Sequence, residues 1–84
     1  MAYKQLTKLI REKTQRKETI ETKVLNLYEA SNPSLYYVYE VLGDYYAAIQ
    51  QIDTAITYWQ KALTMPIPKQ AEKVRIQQKI NKNQ

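Results

Sequence analysis

The sequence predicts an all-α fold of about four to five helices in antiparallel helix–turn–helix array, and three observations carry that prediction. One Gly and three Pro punctuate 84 residues, which favours long helices. Apolar residues recur at helical spacings, three and four apart. Strand signals are weak, because the β-branched residues are scattered and no Asn-Gly or Asp-Gly turn occurs. The apolar share of 44% is that of a folded chain, and the whole, 1–84, reads as a single helical domain.

Tyr3 to Arg16 places Leu6, Leu9 and Ile10 on one helix face. Nothing from Arg11 to Thr19 is apolar, so a break is expected there, with Thr19 as N-cap of the next helix; one long helix is the alternative. Thr19 to Ala30 carries Ile20, Val24, Leu27 and Tyr28 as an amphipathic stripe. Asn32-Pro33 ends it, since a residue before proline avoids helical geometry, and Pro33 suits the first turn of a third helix. That helix, Leu35 to about Gln50, is apolar almost all round and so is contacted on several sides. Asp53 is the expected N-cap of a fourth helix, Thr54 to Thr64, which carries Ala55, Ile56, Trp59, Ala62 and Leu63. Pro66 and Pro68 separate it from a last helix, Lys69 to Asn81. There Ile67, Ala71 and Val74 lie opposite Ile76 and Ile80; two stripes mean two neighbours, or one neighbour and one exposed stripe, and point to a missing partner surface.

Charge is segregated. Residues 1–17 carry six basic groups against Glu12, and residues 58–84 carry six against Glu72. The stretch between holds Lys23 against six acids. Solvated helix faces account for this pattern, as does charge complementarity within the fold or between copies.

The third and fourth helices resemble the tetratricopeptide repeat, whose period is about 34 residues. Tyr39 stands where that family has Trp, Leu42-Gly43 and Tyr46 follow at the right spacing, and Ala55, Trp59 and Ala62 complete the pattern on the second helix. Prolines flank the closing position, Ile67, instead of occupying it. The resemblance covers about 36–68. One period earlier it degenerates: Glu21 and Tyr28 stand where small residues belong and Leu9 stands where Gly belongs. It implies a degenerate helical pair over 1–35, one repeat over 36–68 and a capping helix and tail over 69–84. Gly43 would face Ala55, Tyr46 and Trp59 would fill the wider interhelical space, and Ala62 would admit the last helix. Such arrays need about three units, so self-association or a flanking domain is expected. The Leu42-Gly43-Asp44-Tyr45-Tyr46 and Ile67-Pro68-Lys69 stretches are also similar to helical C-terminal extensions of secreted bacterial acyltransferase-type hydrolases.

Catalytic readings are poor. There is no His or Cys, which removes the usual nucleophile–base pairs and metal ligands, and the single Gly forms no phosphate loop. No cofactor or metal is expected. Glu40 and Asp44, four apart on one face, read as a solvated acidic stripe before an acid–base pair. The tetratricopeptide resemblance implies a protein-binding groove lined by Tyr37, Glu40, Asp44, Ala47 and Ala48. Members that capture acidic tails use Lys and Asn at the places of Glu40 and Asp44, so the expected partner is a protein or peptide more basic than acidic. The runner-up function is an accessory helical segment of a larger, exported bacterial enzyme. The third is nucleic-acid binding by the basic terminal helices, which the acidic surroundings of the tyrosines disfavour. With a polar start and no apolar run of membrane-spanning length, a complete chain is expected in the cytoplasm; for a fragment of an exported protein that expectation lapses.

Overall fold

Helix α1 runs Tyr3–Arg16, α2 Thr22–Ser31, α3 Tyr36–Ala48, α4 Ile52–Leu63 and α5 Gln70–Lys82. The computed structural model describes the backbone of residues 3–84 and the side chains from Lys4 onward; Met1 and Ala2 of the expected N-terminal pair lie outside the described residues. No strand occurs among the described residues.

The question of one helix or two before Pro33 is settled by Lys17. It adopts a left-handed φ of 57°, and the Glu18 amide reaches back to the Lys13 carbonyl at 3.0 Å. That closing turn ends α1. Thr19 does not cap α2; Glu21 holds the N-cap position, with no side-chain cap bond. A tertiary bond accounts for the delay. The Ile20 amide donates to the buried Tyr45 hydroxyl at 2.8 Å, which holds the chain extended until Glu21.

Pro33 likewise stays outside the next helix. Its carbonyl accepts the Tyr39 hydroxyl at 3.0 Å, and Leu35 takes the N-cap place of α3. Helix α3 packs against α1, α2 and α4, and buries Val38, Tyr39, Val41, Leu42, Gly43 and Tyr45. Gln50, at a left-handed φ of 67°, turns the chain straight into α4. Gln51 is therefore the N-cap, and Asp53 sits inside the first turn, where a carboxylate suits the helix dipole.

Helices α3 and α4 form the tightest pair. A Cβ on Gly43 would lie 2.4 Å from the Trp59 ring. The Trp59 indole fills the notch that glycine opens. Ala55 and Ala62 are both buried, and Tyr46 is only half-buried. Tyr46 stacks on Tyr58, with centroids 5.4 Å apart, and Tyr58 stacks on Tyr39 at 6.3 Å.

Helix α5 packs on α4 and buries Ile76 and Ile80. Its other stripe is split: Ile67, before the helix, packs partly buried against the core, whereas Ala71 is exposed and Val74 is 43% exposed. Lys69 is its N-cap, so Pro68 precedes the helix. The molecule measures 30 × 26 × 17 Å, and the short axis accommodates two helix layers at about 8–10 Å spacing.

A cleft between three helices

Helices α1, α3 and α5 line a common cleft of about 710 Å³. Arg11 comes from α1, Tyr36, Tyr37, Glu40 and Asp44 from α3, and Glu72, Arg75 and Lys79 from α5. Leu35 adds an apolar edge, 37% exposed.

Glu40 is the most buried charge, at 3% exposure. Arg75 grips it with two bonds, Nε to Oε2 and Nη2 to Oε1, each 2.9 Å. Lys79 donates to the same carboxylate at 2.9 Å and to both Asp44 oxygens at 2.9 and 3.1 Å. Burial alone would push the Glu40 carboxyl up, but the bonds and charges of Arg75 and Lys79 outweigh it and hold the carboxyl below its ordinary value of 4.5. The second Asp44 contact is to the Trp59 Nε1–H, which donates to Oδ1 at 3.1 Å. One acid thereby joins the α3–α4 notch to α5.

The Tyr36 hydroxyl donates to Glu72. Burial, that bond and the negative charges of Glu72 and Glu40 push the phenol up to about 12. Arg11 Nη1 donates to the Tyr37 hydroxyl at 2.6 Å and forms no ion pair among the described residues. Glu72 likewise has only a hydroxyl partner among them, whereas Glu40, Asp44, Arg75 and Lys79 are ion-paired with one another.

Of the expected groove residues, Tyr37, Glu40 and Asp44 lie together in the cleft, and Ala47 and Ala48, near the far end of α3, do not line it. Arg11, Tyr36, Glu72, Arg75 and Lys79 were missing from that set. One signal for two of them stands in the sequence: Arg75 and Lys79 are four apart, as Glu40 and Asp44 are, with opposite charge. On two adjacent helices such pairs meet rung by rung. The complementarity between acidic middle and basic end is therefore satisfied within one chain at these residues.

A second cluster lies on the other side of α3. Glu29 of α2 accepts Lys61 at 3.2 Å and the Tyr58 hydroxyl at 3.4 Å, and Lys61 sits 4.7 Å from the Tyr39 ring centroid. Burial, with the nearby Glu29 charge, pushes the Tyr58 phenol up to about 12. These contacts tie α2 to α4. No group of three or more metal-ligating residues occurs among the described residues, and none of their helices is long and apolar enough to cross a membrane. No protein-family model, curated protein or solved structure matches the chain.

Proposed function

We propose that the chain is a tetratricopeptide-like protein-interaction module, without catalytic activity of its own, which offers the α1–α3–α5 cleft to a peptide or another protein. The observation that carries this reading is that every second helix contributes to one concave surface. The ion pairs Glu40–Arg75 and Asp44–Lys79 each span 35 positions, close to the repeat period of about 34. A concave surface with mixed polar and apolar lining suits peptide capture. An unbiased peptide-display selection against the intact protein tests it. Selected peptides should perturb backbone amides of α1, α3 and α5; peptides that map to other faces, or no selection at all, would overturn the cleft as the binding surface.

The accessory-segment reading has its own support. Leu27 on α2 is 50% exposed and Val74 on α5 is 43% exposed, so apolar side chains stand uncovered on two separate helices. A flanking unit of a larger enzyme would cover them. Co-expression with neighbouring coding segments, followed by limited proteolysis, distinguishes a protected from an unprotected Val74 face.

A further inference from the structure

We propose that Lys4, Lys8 and Arg11 form a docking ridge along α1 for an acidic helical segment of a partner protein, laid at the mouth of the cleft. This rests on the interaction-module reading and specifies its ligand. A basic ligand has little to hold here, because Glu40 and Asp44 are engaged by Arg75 and Lys79, which leaves Glu72 as the one acid of the cleft without a cation among the described residues. To bind Glu40 or Asp44 it would have to displace residues already bonded at 2.9 Å. The charge left over along α1 is positive: Arg11, with the exposed Lys4 and Lys8, against Glu72 across the cleft.

Arg11 and Glu72 are the cleft's two charged side chains bonded only to a neutral hydroxyl among the described residues, and Arg11 is the cationic one. Lys4 and Lys8 are exposed and form no ion pair there either. Positions 4, 8 and 11 follow the i, i+4, i+7 spacing and so lie on one face of α1. The ridge spans about 10 Å along the helix axis at ~1.5 Å per residue. A partner helix with carboxylates at the same spacing meets all three cations, one turn after another.

A nucleic acid fits this surface less well. Tyr36 and Tyr37, the aromatic lining, have their hydroxyls tied to Glu72 and Arg11, and three carboxylates lie in the same cleft. Glu12 is the single acid of α1, one turn from Lys8 and exposed, and it weakens the ridge for any anion.

The test is calorimetric titration of the full chain with an alanine-rich helical peptide carrying three glutamates at i, i+4, i+7. Binding should weaken as salt rises, because the charges are exposed. Lys4→Glu with Lys8→Glu should weaken it by about tenfold or more, with the circular dichroism unchanged, and should create binding to the same peptide with lysines in place of glutamates. Glu12→Gln should tighten binding to the glutamate peptide. The ridge is overturned if the glutamate peptide produces no heat, if three consecutive glutamates bind equally well, or if an oligothymidylate of equal charge binds more tightly. The two readings separate cleanly. A non-acidic selected peptide that perturbs α3 and α5, and ignores Lys4→Glu with Lys8→Glu, would sustain the module and sink the ridge.

Discussion

Helices α3 and α5 are held by opposite means. Helix α3 buries aliphatic and aromatic side chains against three neighbours, so its place is set by the removal of apolar surface from water. Helix α5 reaches the core only through Ile76 and Ile80. Two buried isoleucines contribute about 2 kcal/mol each, which alone leaves a helix of 13 residues weakly fixed. The rest of its attachment is polar: the charged ladder to Glu40 and Asp44 and the Tyr36–Glu72 bond. The apolar term is indifferent to pH and rises slightly with salt, whereas the charged term depends on both. One small fold thus contains a robust hairpin and a conditionally docked helix.

Substitution at the hairpin should have the largest effect. Gly43→Leu drives a side chain into the Trp59 ring, which already lies 2.4 Å from a bare Cβ, and should cost more than about 3 kcal/mol or prevent folding. Gly43→Ala should still cost about 2 kcal/mol, although alanine is the better helix former. Thermal melts decide this; neutrality in both variants would mean that the indole yields.

Glu40→Ala comes next. It strands Arg75 and leaves Lys79 with Asp44 alone, and Arg75 is 48% exposed, so water takes over much of the lost pairing. About 2 kcal/mol is expected. The loss should be local: α5 amides should exchange faster with solvent while α3 and α4 keep their protection. Uniform loss of protection would erase the distinction between the two helices.

Acid sharpens the same contrast. The folded Glu40 carboxyl lies below its ordinary value of 4.5, so its stabilisation is complete above that pH and is lost as pH falls through the folded value. Stability measured from about pH 5 downward should fall in the wild type and fall less steeply in Glu40→Gln.

The smallest effect is expected on the far side of α3. The Tyr58 hydroxyl meets Glu29 at 3.4 Å, and Tyr58→Phe should cost about 0.5–1 kcal/mol. The raised phenol favours the neutral form in the folded state. Its stabilisation therefore holds below the ordinary tyrosine value of 10.0 and fades as pH rises toward about 12. An alkaline absorbance titration should show Tyr36 and Tyr58 ionising late.

Most of this architecture was readable from local pattern. Helical periodicity placed all five helices, the lapse after Arg11 located the first break, and Gly43 inside a helix announced a close approach. The misses share a cause. Thr19 and Asp53 are good capping residues by type, but the starts of α2 and α4 were decided by a Tyr45 bond and by the left-handed Gln50. Glu40 and Asp44 looked like an open acidic stripe because their partners lie 35 residues away. Local sequence does not disclose which basic helix will lie beside an acidic one. The two stripes of α5 were visible, but only packing shows that Ile76 and Ile80 face the core and Val74 faces water.

The sole tryptophan has one further consequence. Its indole is clasped by Asp44, and the same carboxylate holds Lys79 of α5. The fluorophore therefore sits where the hairpin and the docked helix meet. Its emission should register the departure of α5 as a change in local charge, and the opening of the hairpin as a red shift from exposure to water. The chain carries its own two-signal optical gauge, with no added label.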